Sequence, residues 1–197
     1  MEGRVPGTRP VNEQHMVFCA SPEWQALVVE TILPVALAGV DLGDDALEIG
    51  PGPGFTTDVL QTMTAHLTAV EVDPVLADPL AARLAGGNVT VVLGDATALE
   101  FPSARFTGAA SFHMLHHIPT KEAQDSAFRE LARVLRPGAV LVAADSGYRE
   151  DTLLFHEGDT YNPIEPEELP ARLSTAGFAK VEVRQYDLGW VCTAQAQ

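Results

Sequence analysis

At 197 residues and 46% hydrophobic content, the chain has the length and apolar share of one folded domain with a substantial core, which excludes a disordered protein. Twelve basic residues against 27 acidic ones leave a formal charge of −15, so repulsion by nucleic acid and by anionic membrane surfaces is expected. Cys19 and Cys192 have neither metal-site nor redox spacing. No stretch approaches the roughly 18 continuous apolar residues of a membrane span, and a cytoplasmic protein is expected.

Residues 1–20 read as an N-terminal tail, with Pro, Gly and Arg concentrated in 1–12, and residues 21–197 as a single domain. A helix is predicted over 22–40, where Trp24, Leu27, Val28, Thr31 and Ile32 follow i, i+3, i+4 spacing. Ser21 is its N-cap, Pro22 its first residue, and Pro34 should kink or end it. A short buried strand then ends at Ile49 and runs into Gly50-Pro51-Gly52-Pro53-Gly54-Phe55. A strand, a Gly-rich turn and a helix start bring backbone close to a ligand, with the free N–H groups of the first helical turn facing it. The dinucleotide pattern G-x-G-x-x-G fails at Phe55, and no Lys follows to make a phosphate loop.

After a helix from Phe55 to Met63, strands are predicted at 67–72 and 89–93, separated by a helix that Pro79 should split. A fourth strand covers 106–112, and the clearest helix covers 121–135. Pro137-Gly138 stops that helix before a fifth strand at 140–144. Residues 146–164 show no periodicity. A helix at 166–176 and two tightly joined strands, 180–186 and 188–193, close the chain. Alternating strands and helices predict a Rossmann-like, seven-stranded, mostly parallel sheet with an antiparallel closing strand and helices on both faces. Ligands collect at the carboxyl ends of such strands.

Glu48 precedes the first glycine by two residues, Glu71 follows Gly50 by 21, and Asp95 ends the third strand. One helix out and one strand back return Glu71 to the Gly-rich turn, where a carboxylate can accept from both hydroxyls of a ribose. Asp73 competes for that role but precedes Pro74, which suits a helix N-cap. With these acids in order, the acid-x-Gly-x-Gly-x-Gly motif resembles that of the class I methyltransferases that use S-adenosylmethionine. The resemblance covers about 46–193, including Leu135-Arg136-Pro137-Gly138 and Ala176-Gly177-Phe178.

The resemblance implies that Gly50 and Gly52 approach the methionine part of the cofactor, that Gly54 belongs to the same cofactor-binding turn, and that Glu48 orients the ammonium. Glu71 would hold the ribose, and Asp95 and Ala96 the adenine. Ser111 or Phe112 would offer backbone oxygen to the ammonium. His116, and after it His113, is the candidate base beside the transferred methyl, since a neutral histidine removes a proton near pH 7. Tyr148, Phe155, His156 and Tyr161 are candidate acceptor-wall residues in the irregular stretch. No metal is expected, because Ser111-Phe112-His113 lacks acidic ligands. The Asn/Asp-Pro-Pro-aromatic motif of DNA amino-group methylation and the Pro-Cys of cytosine-ring methylation are also absent. With the acidic charge, these absences predict a small-molecule acceptor, with a protein as the other option and no nucleic acid or membrane partner. A cofactor-binding sensor or scaffold without transfer activity is the alternative, and an NAD-dependent oxidoreductase a distant third.

Overall fold

Six strands that run one way and a single reversed strand make up the sheet of the computed structural model, which describes residues 12–197. In chain order the elements are α1 (Glu13–Cys19), α2 (Pro22–Leu27), α3 (Leu33–Ala36), β1 (Asp45–Ile49) and α4 (Phe55–Leu60). There follow β2 (His66–Glu71), α5 (Pro74–Leu84), β3 (Val89–Leu93), β4 (Phe106–Phe112), α6 (Lys121–Val134) and β5 (Leu135–Asp145). The chain ends with α7 (Glu150–Phe155), α8 (Leu169–Ala176), β6 (Phe178–Tyr186) and β7 (Gly189–Ala196). Strand order is β3-β2-β1-β4-β5-β7-β6, with β7 antiparallel to both neighbours. This is the expected Rossmann-like architecture.

Two apolar layers hold the sheet. On one face Phe128 and Leu131 of α6 and Leu169 and Leu173 of α8 pack with Phe106, Phe178 and Trp190. On the other, Ile32, Leu33 and Leu60 cover Ala46, Phe112, Val142 and Val191. None of the described helices is long and apolar enough to cross a membrane.

Several boundaries differ from expectation for local physical reasons. The helix after Ser21 passes through a π turn at Val28–Ile32, and the Leu33 N–H bonds back to the Val28 carbonyl. The wide turn lets the chain absorb Pro34 and continue to Ala36 instead of breaking. Pro79 does not split α5, which runs unbroken from Pro74 to Leu84, and the carbonyl it deprives of a helical partner belongs to Val75, an exposed residue of the first turn. β5 starts directly after α6 because the chain bulges across Pro137-Gly138, shifting the β4–β5 register between Phe106 and Gly108. The stretch 146–164 contains the short helix α7. Of the expected tail, residues 1–11 lie outside the described residues, and Glu13–Cys19 is helical, capped by the Asn12 side chain on the His15 N–H.

Candidate cofactor and acceptor site

Parallel register between β1 and β2 pairs Ile49 with Val70, so the turn leaving β1 meets Glu71 at the end of β2. Gly50 donates to the Val70 carbonyl at 2.9 Å and Gly54 to the Pro51 carbonyl at 2.9 Å. Gly50, Gly52 and Gly54 all have positive φ, a conformation that glycine adopts without strain. Each has a different neighbour. A Cβ on Gly50 would overlap Met114, and one on Gly54 would overlap Leu80 and Arg83 of α5. A Cβ on Gly52 would meet nothing within 4 Å, so backbone there faces open space.

That space is a cavity of about 310 Å³ at the carboxyl ends of β1, β2, β3 and β4, large enough for a nucleoside-bearing ligand. Of the expected cofactor residues, Gly50, Gly52, Glu71, Asp95, Ala96 and Phe112 line it. Glu71 Oε2 accepts from the Gly52 N–H at 3.1 Å, and Oε1 accepts from Val72 and Asp73 at 2.9 and 3.0 Å. Burial pushes this carboxyl up, and the three backbone N–H groups oppose the shift. A carboxylate has about four acceptor positions, so Oε2 keeps capacity for a hydroxyl donor. Asp95 Oδ1 accepts from the backbone N–H and the hydroxyl of Thr97, both at 2.8 Å, which fixes the turn after β3. Asp73 caps α5 by accepting from Val75 at 3.0 Å, as its Pro74 neighbour implies.

Glu48, Gly54 and Ser111 do not line the cavity. Glu48 lies beneath the turn, 1% exposed, accepting from the hydroxyls of Thr56 and, at 2.7 Å, of Thr57. It therefore ties the start of α4 to β1. Burial pushes its carboxyl up to about 7, against the two hydroxyl donors. A raised folded-state value stabilises the protein fully below the ordinary 4.5, and that contribution is lost as pH rises through about 7. The gap corresponds to about 3 kcal/mol. Between pH 4.5 and pH 8, wild type should lose about 3 kcal/mol more unfolding free energy than Glu48→Gln. Parallel stability profiles for the two proteins would remove this titration from Glu48.

On the acceptor side the two histidine candidates part company. His113 lines the cavity, at a φ of 51° that is uncommon for a side-chain-bearing residue, with its N–H donating to the Ala144 carbonyl at 2.8 Å. Its ring stands edge-on to Trp24 with centroids 5.2 Å apart, and burial pushes it down to about 4. It is neutral at pH 7. His116, the first choice from sequence, is turned away from the cavity and 4% exposed. Its backbone N–H donates to Asp145 Oδ2 at 3.1 Å, and its Nδ1 lies 2.5 Å from Oδ1. Burial lowers the imidazole and raises the carboxyl, so the pair holds one proton between them.

Tyr148, Phe155, His156 and Tyr161 also stand off the cavity. Tyr148 is exposed, Tyr161 donates to the Gly147 carbonyl at 3.0 Å, and His156 stacks on Tyr161. The cover comes instead from the N-terminal helices: His15, Met16 and Cys19 of α1 and Trp24 of α2 reach the space. Spacing offered one sign of this: Asn12, a good N-cap, precedes His15 and Cys19, which share a helical face at i, i+4.

A Gly-rich turn, an acid at the end of the second strand and a reversed seventh strand define a Rossmann-like domain built for a nucleoside-bearing ligand. Residues 47–143 match the family described as Methyltransferase domain, and the fold is that of the class I S-adenosylmethionine-dependent methyltransferases. It is similar to the probable ribosomal RNA small subunit methyltransferase A of Methanothermobacter thermautotrophicus, 46% identical over 59 residues, covering 30% of this chain and 22% of that one. The ribosomal RNA small subunit methyltransferase A of Novosphingobium aromaticivorans is 32% identical over 122 residues, covering 58% of this chain and 43% of that one. The chain thus spans less than half the length of these curated relatives. In the DhpI–SAH complex the same fold recurs at a TM-score of 0.70 and 18% identity, covering 93% of this chain and 96% of that one.

The relatives overturn one expectation. A small-molecule acceptor with nucleic acid excluded does not agree with curated relatives that are named for ribosomal RNA. The charge argument failed because −15 is a sum over the whole chain, whereas an acceptor meets only the local surface around the site.

Proposed function

We propose that the chain transfers the methyl group of S-adenosylmethionine to an acceptor and releases S-adenosylhomocysteine. The observation that carries this reading is the convergence of Gly52, Glu71 and Asp95 on one cavity, from three places in the chain. These are the positions that the family sets against methionine, ribose and adenine. The open space above Gly52 and the remaining acceptor capacity of Glu71 suit that ligand. Kinship in fold to the DhpI–SAH complex supports the same ligand class.

The acceptor's lone pair would attack the methyl carbon as the carbon–sulfur bond breaks, leaving a neutral thioether. Such a displacement needs alignment and exclusion of water more than strong acid or base. Trp24, Met114 and the N-terminal helices supply the dry wall. That His113 lines the cavity and is neutral at pH 7 supports it as the group that takes the acceptor's proton. His113→Gln with unchanged turnover would remove it from that role.

Calorimetry should show binding of S-adenosylmethionine and S-adenosylhomocysteine and none of NAD. Release of S-adenosylhomocysteine should then be followed with small-subunit ribosomal RNA as the first acceptor, since the curated relatives carry that name. If neither sulfur compound binds, the reading fails. Binding without transfer to any acceptor would favour a sensor.

A further inference from the structure

Three histidines and one carboxylate from different parts of the chain meet beside the cavity, outside the cofactor residues. His15 comes from α1, His117 from the turn after β4, and His156 and Asp159 from the end of α7. One ligand atom from each lies within 4.8 Å of those of the other three. We propose that His15, His117, His156 and Asp159 form a four-ligand zinc site that clamps α1 onto the segment following β5, at the edge of the cofactor cavity.

The hydrogen bonds around the cluster argue for ligation rather than for an ordinary polar core. His156 Nδ1 lies 2.7 Å from the Thr152 carbonyl, which only accepts, so Nδ1 carries the proton and Nε2 the lone pair. That Nε2 is buried and meets no donor among the described residues. His117 repeats the arrangement, with Nδ1 3.3 Å from the Thr160 carbonyl. An imidazole whose far nitrogen donates to a backbone carbonyl is the usual orientation of a metal-bound histidine. Asp159 Oδ2 is 3.0 Å from His15 Nδ1 and accepts from the Asn12 N–H at 3.2 Å, while Oδ1 is buried without a partner.

Two lone-pair atoms left unmet in a buried site are costly, and a cation satisfies both at once. Three imidazoles and one carboxylate are a donor set that suits zinc in tetrahedral geometry. With metal–ligand bonds of about 2.0–2.2 Å, the edges of such a tetrahedron are roughly 3.3–3.6 Å. From separations within 4.8 Å, the widest pair must therefore close by at most about 1.2–1.5 Å, a movement within reach of side-chain rotation. The scaffold is already stitched: Asn12 Nδ2 donates to the carbonyls of Phe155 and Glu157 at 3.0 and 3.3 Å, joining α1 to α7. A closed four-ligand site is structural in character. It would fix the helix that carries His15, Met16 and Cys19 over the cavity, contrary to the metal-free expectation from sequence.

Zinc binding there is independent of methyl transfer, so the two readings fail separately. The full chain, stripped with a chelator, is titrated with zinc against a chromophoric competitor, and with cobalt to report geometry by visible absorption. One zinc per chain and the strong absorption of four-coordinate cobalt are expected. His156→Ala should weaken zinc binding by more than the roughly 10–100-fold that loss of an outer-shell partner costs. His66→Ala, an exposed histidine at the start of β2, should bind as wild type does. Equal zinc affinity in His156→Ala and wild type would overturn the site. Should that variant not fold, the wild-type protein decides alone: a stoichiometry well below one, or the weak spectrum of six-coordinate cobalt, overturns it.

Discussion

Asp145→Ala is expected to lower the unfolding free energy by about 3 kcal/mol or more, because three buried donors lose their acceptor at about 1–3 kcal/mol each. Asp145 is wholly buried at the end of β5 and serves three donors. Oδ2 accepts from the His116 N–H at 3.1 Å and Oδ1 from the Ser146 N–H at 2.7 Å, and the His116 imidazole shares its proton with Oδ1. Alanine would leave two backbone N–H groups and an imidazole unmet where little water reaches, and each unmet group costs about 1–3 kcal/mol. Asp145→Asn keeps the volume and one oxygen acceptor, so its loss should be smaller, about 1–3 kcal/mol. Urea unfolding of the three proteins at pH 7 measures both. A loss under about 1 kcal/mol in Asp145→Ala would mean that water replaces the carboxylate, and the pair would then not be the anchor of the turn carrying His116 and His117.

That anchor also explains why the histidine run was misjudged from sequence. Asp145 is 29 residues from His116 in the chain, and only the β4–β5 pairing brings them together. Local spacing places His113, His116 and His117 at one strand end but says nothing of which ring turns inward. The positive φ of His113 aims its ring at the cavity, and Asp145 pulls His116 out of it. Strands β3 and β4 were legible to the residue because turn residues bound them, although β3 is an edge strand with none of its residues buried and not the buried strand its apolar content suggests. Glu71 was legible for a geometric reason: the lengths of α4 and β2 return it to the turn whatever the details of packing. The cover was not. α1 is a short helix whose inward face is held by Asp159 and by the carbonyls of Phe155 and Glu157, more than 140 residues away. No local periodicity reports contacts of that range.

Glu71→Ala should weaken S-adenosylmethionine binding by roughly 1.5–3 kcal/mol, about 10–150-fold, the range for hydrogen bonds to a charged group. The residue does two jobs that a single affinity measurement cannot separate. Its Oε2 holds the Gly52 N–H and so shapes the turn, and the same oxygen is the acceptor left for a ribose hydroxyl. S-adenosylhomocysteine lacking the ribose 2′-hydroxyl separates them. If Glu71 meets the ribose, wild type should bind this analogue more weakly than the parent compound, while Glu71→Ala should bind the two alike. The interaction term of that cycle belongs to the ribose contact, and the loss common to both ligands belongs to the turn. A deoxy penalty of the same size in both proteins would place the ribose elsewhere and reduce Glu71 to a brace for the Gly-rich turn.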